Sequence, residues 1–119
     1  MHPINGKQSL LRSIQGAFRG FIHAGTERNF LILLGSSIVA YILLAFFEVN
    51  STMKVIVLLS CSFTLAAEML NTAIEELSDT LIKEHHPGIA KTKELAASAV
   101  LLLAIVTLLI TIYAICNPY

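Results

Sequence analysis

The stretch AAEMLNTAIEELSD, residues 66–79, carries several polar groups at spacings that a single helical face can hold. With Glu68 as origin and about 100° per residue, Asn71 lies near about −60°, Thr72 about +40°, Glu75 about −20° and Asp79 about +20°. Glu76 falls at about +80°, on the flank of this stripe, while Met69, Leu70, Ala73, Ile74 and Leu77 fill the rest of the circumference. Glu75 stands about two turns, roughly 10 Å, from Glu68. Carboxylates beside an amide are hard oxygen ligands of the kind that suit Mg²⁺, which in turn usually arrives with phosphates. Glu68 sits in an otherwise apolar run, where an ionisable group is costly and marks a site. A base that deep implies a lipid substrate. Interhelical hydrogen bonding would account for Glu68 alone, but not for its alignment with Glu75 and Asp79 ahead of Lys93.

Composition dictates the elements that must position these residues. The chain has 119 residues, 55% of them hydrophobic and only 13% charged, with a mean hydropathy of +0.75. Such a balance describes an all-α integral membrane protein. Residues 30–47 and 95–116 contain no charge, and each is long enough as a helix to cross roughly 30 Å of hydrocarbon. Residues 55–74, interrupted only by Glu68 and Asn71, form a third span, and open strands cannot cross a bilayer. A single membrane domain over residues 1–119 is therefore expected: an N-terminal interfacial amphipathic helix at 8–26, then transmembrane helices at 30–47, at 55–74 continuing to about 82 in the cytoplasm, and at 95–116.

The cations set the orientation. Lys7, Arg12, Arg19 and Arg28 precede the first span, Lys83, Lys91 and Lys93 lie between the second and third, and Lys54 alone lies between the first and second. The positive-inside rule then puts the N-terminus and the second loop in the cytoplasm. The first 28 residues hold no continuous apolar segment of a cleavable signal. Instead Leu10, Leu11, Ile14, Phe18, Phe21 and Ile22 recur at helical spacing opposite Arg12, Gln15, Arg19 and His23, the pattern of a helix lying on a membrane surface. The sequence GKQS lacks the upstream glycine and the strand of a P-loop. NST at Asn50 lies in so short a loop that its match to a glycosylation sequon is read as chance. Cys61 and Cys116 fall within spans and are expected as packing thiols. The adjacent His85 and His86 cannot share one tetrahedral zinc.

AAEMLNTAIEELSD, followed by KEHHPGIAKTKELAASAV, closely resembles the prokaryotic diacylglycerol kinase and undecaprenol kinase family. The pattern of that family runs E-hydrophobic-L-N-[ST]-A-I-E, then an acidic residue, a short loop with His, and A-K-D before the last span. The resemblance extends from ERNF at residue 27 to about residue 104. It implies a homotrimer of three-helix subunits in the bacterial cytoplasmic (inner) membrane, with active sites shared between neighbouring subunits. It further implies that each site transfers the γ-phosphoryl group of ATP to a lipid hydroxyl, with Mg²⁺ as the expected cofactor. No nucleic-acid partner is expected.

By the same resemblance Glu68 is the general base, Glu27 and Glu75 hold the metal and nucleotide, and Asn71 is a polar partner of the site. Lys93 and Glu94 match a nucleotide-binding pair, and Glu84, His85 and His86 a loop segment that touches ATP. Asn29, Phe30 and Leu33 belong to the lipid cleft, and Thr72 and Asp79 support the polar stripe. Three departures stand out: Glu94 replaces the usual Asp, ERNFLIL lacks the basic residue of ERNFRIH, and Gln15 stands where some members carry a nucleotide-contacting aromatic. Diacylglycerol is the acceptor expected, with undecaprenol the alternative. Two other classes compete: a proton-coupled transporter, which has no need of an acidic cluster beside a loop lysine, and a non-enzymatic scaffold packed through Gly35, Ser36, Ala96, Ala97 and Ser98.

Overall fold

The computed structural model describes residues 6–119, with Lys7 and Gln8 described by backbone alone, so the charge of Lys7 used in the orientation argument lies outside the described side chains. The chain forms four helices, α1 (Gly6–Ala24), α2 (Arg28–Phe46), α3 (Ser51–Leu81) and α4 (Pro87–Cys116). The last three are long and apolar enough to cross a membrane, with mean hydropathies of 2.2, 1.7 and 2.8 over their most apolar windows. Thirty-one residues make α3 about 46 Å long, well beyond the roughly 30 Å of a hydrocarbon core. Its last turns, which carry Glu75 and Asp79, therefore project past the apolar section.

The junctions are set by specific bonds. At the α1–α2 turn Thr26 donates from its hydroxyl to the His23 carbonyl at 2.7 Å. Glu27 holds the N-cap of α2 without a side-chain cap bond, so its carboxylate is not committed to its own helix. At the α2–α3 turn Glu48 adopts a left-handed φ of 53°. Asn50 then caps α3, its Oδ1 accepting from the Met53 amide at 2.9 Å while its Nδ2 donates to the Pro118 carbonyl at 3.2 Å. The C-terminus is thereby pinned to this turn, and an Asn50 engaged through both amide atoms is a poor glycan acceptor. At the α3–α4 turn His86 caps α4, its Nδ1 accepting from the Gly88 amide at 3.0 Å, with Pro87 opening the helix. Proline is favoured there because its missing donor has no intrahelical acceptor to serve. The helix consequently begins at Pro87, ahead of the span expected from residue 95, and Lys93 and Glu94 ride on its early turns.

A small core of Leu44, Val49, Val57, Cys61 and Ala114 closes the bundle near the α2–α3 turn. Further along, Thr107 of α4 shares hydroxyl bonds with Ser60 and Thr64 of α3, at 3.0 Å to Thr64. The Thr64 and Thr107 hydroxyls also bond the backbone of their own helices, at 2.8 Å to the Ser60 and Leu103 carbonyls. Leu31, Ile32, Leu101, Leu102, Leu108 and Leu109 face outward, as lipid-contacting side chains do, and the apolar side of α1, from Leu10 to Ile22, is uncovered.

Candidate functional site

The stripe on α3 is built as its spacing requires. Glu68 and Asn71 are only 4% and 5% exposed, whereas Glu75 and Asp79 are open to solvent. Glu68, Asn71 and Glu75 line a cleft of about 360 Å³ whose other walls are Asn29 and Leu33 of α2 and the small residues Ala97 and Ala104 of α4. Alanine at those two positions leaves the room that a larger side chain would fill. Thr72, Glu75 and Glu27 are the polar neighbours of Glu68.

Asn71 holds the most informative atom of the cleft. Its Nδ2 donates to Glu75 Oε1 at 3.1 Å. Its Oδ1 is buried and has no hydrogen-bond partner among the described residues. A buried acceptor left unmatched costs about 1–3 kcal/mol, so the cleft presents a carbonyl oxygen ready to accept from, or ligate, a group that enters it. Two carboxylates and this carbonyl make a set of hard oxygen donors, the chemistry that fits Mg²⁺.

Glu27 is near Glu68 but lines another cavity. It lines a larger cavity of about 560 Å³ between α1, α2 and α3, together with His23, Phe30, Thr72 and Glu76. The expected metal pair of Glu27 and Glu75 is thus divided between two neighbouring cavities within one subunit, with Thr72 on the wall of Glu27's cavity. Phe30, expected in the lipid cleft, is buried on the Glu27 side, whereas Asn29 and Leu33 line the cleft. Among the described residues no group of three or more His, Cys, Asp or Glu gathers as a metal site.

The loop residues assemble at the end of α3. Glu84, His85 and His86 line a cavity of about 230 Å³ with Asp79, Lys83 and Lys93. Lys93 pairs through its ammonium with Asp79. Glu94 is exposed and does not line this cavity.

Several participants are not evident from the sequence. Glu76, on the flank of the stripe, meets the cavity of Glu27, and only its angle of about +80° hints at that. Thr64, Thr107 and Thr111 line a cavity of about 240 Å³ with Ser36 and Ser37. That cavity shares Leu33 and Ala104 with the Glu68 cleft, so the two adjoin between α2 and α4.

This constellation, a buried carboxylate reached from an apolar cleft and a cationic loop at the end of the same helix, has counterparts among known proteins. Residues 15–115 match the family described as prokaryotic diacylglycerol kinase. The chain is also 32% identical over 101 residues to the undecaprenol kinase of Bacillus subtilis (strain 168), across 78% of this chain and 82% of that one. The family match covers α2, α3 and nearly all of α4, with every residue of the cleft and of the loop cavity. The chain belongs to the prokaryotic diacylglycerol kinase family and is a membrane lipid kinase.

Proposed function

We propose that the chain phosphorylates the primary hydroxyl of undecaprenol with ATP, using Glu68 as general base. The observation that carries the base is the burial of Glu68 on an apolar cleft beside the unmatched carbonyl of Asn71. The name of the Bacillus subtilis relative supports undecaprenol over the diacylglycerol expected from sequence resemblance. A second reading, diacylglycerol as acceptor, is supported by the name of the family itself. The test is a panel: purified protein in lipid with labelled ATP, offered undecaprenol and diacylglycerol separately. Preferential labelling of undecaprenol supports the first reading, and preferential labelling of diacylglycerol replaces it by the second.

In this reading Glu68 accepts the hydroxyl proton while the acceptor oxygen bonds to the γ-phosphorus and the bond from that phosphorus to the bridging oxygen of ADP breaks. Glu75 and Glu27 would hold Mg²⁺, with Asn71 Oδ1 as a further oxygen donor, and the ion would supply charge neutralisation for the phosphates. Asn71 Nδ2 fixes the Glu75 carboxylate by its hydrogen bond. Lys93 donates to phosphate oxygens, and Glu84, His85, His86 and Glu94 approach the nucleotide. Asn29 and Leu33 contact the lipid, with Phe30 behind them. Positioning and charge stabilisation supply most of the acceleration in such a transfer.

Nucleotide access requires the loop at 82–86 to face the cytoplasm, as the cation distribution supports. The uncovered apolar side of α1 suits a helix lying in the interface of the inner membrane. The division of Glu27 and Glu75 between two cavities, and the open side of the Glu68 cleft, support a homotrimer in which neighbouring subunits complete each site.

A further inference from the structure

The ion pair between Lys93 and Asp79 links the last turns of α3 to the early turns of α4 at the mouth of the loop cavity. We propose that Asp79 is the positioning residue of Lys93, holding its ammonium at that mouth in the orientation that receives the nucleotide phosphates. This rests on the reading of Lys93 as a phosphate-binding group.

Stability does not explain the pair. The two side chains are 34% and 67% exposed, and at such exposure an ion pair contributes only about 0–1 kcal/mol. The two helices are already joined by the hydroxyl bonds of Ser60 and Thr64 with Thr107. Orientation does explain it. A lysine hangs on a flexible four-carbon stem and samples many directions unless something fixes its head. Asp79 is the anion that fixes it.

The remaining charged groups leave the pair intact. Lys83, Glu84, His85 and His86 share the cavity, but His86 Nδ1 is committed to the Gly88 amide and does not compete for Asp79. An ammonium has three donors. One bond to Asp79 leaves two for phosphate oxygens.

The experiment measures steady-state lipid phosphorylation at varied ATP by the full-length protein in lipid, for Asp79→Asn, Asp79→Glu, Lys93→Met, the Asp79→Asn/Lys93→Met double variant and the charge exchange Asp79→Lys/Lys93→Asp. Asp79→Asn is expected to raise KM for ATP about tenfold, with a smaller change in kcat and in KM for lipid, and Asp79→Glu to recover part of it. In the Lys93→Met background the Asp79 change should add less than twofold. The charge exchange should leave thermal stability close to the parental value but should not restore KM for ATP. An unchanged or lowered KM in Asp79→Asn, a full additional loss in the Lys93→Met background, or recovery of KM by the charge exchange would each overturn the proposal. If Asp79→Asn fails to assemble, Asp79→Glu and the charge exchange decide by the same criteria. A silent Lys93→Met sinks the phosphate role of Lys93 and the proposal with it, whereas a damaging Lys93→Met beside a silent Asp79→Asn sinks the proposal alone.

Discussion

Asn71 concentrates the conflict between stability and chemistry at the residue scale. Its buried Oδ1 is unmatched while its Nδ2 binds Glu75, which is exposed and finds water when that bond is lost, so an apolar replacement of similar size removes the cost of the unmatched oxygen. Asn71→Leu is therefore expected to leave the unfolding temperature in detergent equal or higher, while activity falls about 10- to 100-fold. A variant that is markedly less stable and still active contradicts this account of the residue. Glu75→Gln should instead raise the Mg²⁺ and ATP concentrations needed for half-maximal rate, because that carboxylate acts through the metal; titrating each at saturating lipid checks it. The face shared by Glu68, Asn71, Glu75 and Asp79 was legible in the sequence, because helical angle follows from spacing alone. The bonding of Asn71 was not: an amide at about −60° has several partners in reach, and only the packing of α2 and α4 decides which of its atoms goes unmatched.

At the scale of elements, the α3–α4 connection is the part that sequence patterning described least. Hydropathy places a span at residue 95 because Lys91, Lys93 and Glu94 are charged, yet the helix starts at Pro87, where a proline follows a capping histidine. Charge does not stop a helix; a cap and a proline start one. His86→Ala should cost about 0.5–2 kcal/mol through loss of the cap, and His86→Asn, a residue that caps well, should recover most of it. Thermal unfolding of the two variants in the same detergent measures the difference, and equal losses would mean that the His86 ring serves something other than the cap. The hydroxyl bonds between α3 and α4 are likewise invisible in one sequence, since serine and threonine in apolar helices commonly bond their own backbone. Thr107→Val removes the shared partner of Ser60 and Thr64 and is expected to cost about 0.6 kcal/mol, the mean for such bonds in a membrane.

For the whole molecule, composition and three long apolar segments were enough to give an all-helical membrane chain, because the length of a span is fixed by bilayer thickness. The placement of Glu27 required the tertiary structure: it sits at the start of α2, and the α1–α2 turn aims it at the cavity of Glu76 rather than at the cleft of Glu75. Mixing subunits defective at Glu68 with subunits defective at Lys93 should restore measurable lipid phosphorylation if those residues meet across an interface, and the proposed intersubunit sites fail if the mixture stays as inactive as its components. In a background without Cys61 and Cys116, a thiol introduced at Lys83 should resist a membrane-impermeant reagent from outside while one at Ser51 reacts. External labelling at Lys83 would reverse the orientation and remove the loop cavity from cytoplasmic ATP.

The central claim is that the buried carboxylate of Glu68 takes the proton of the lipid hydroxyl, and Glu68→Gln tests it most directly. Glutamine keeps the volume and hydrogen-bonding reach of the side chain but is not a base at neutral pH, so turnover of the purified variant with labelled ATP and acceptor lipid should fall about 10²–10⁴-fold with unchanged assembly. A Glu68→Gln protein that assembles normally and phosphorylates lipid at close to the parental rate would contradict the account.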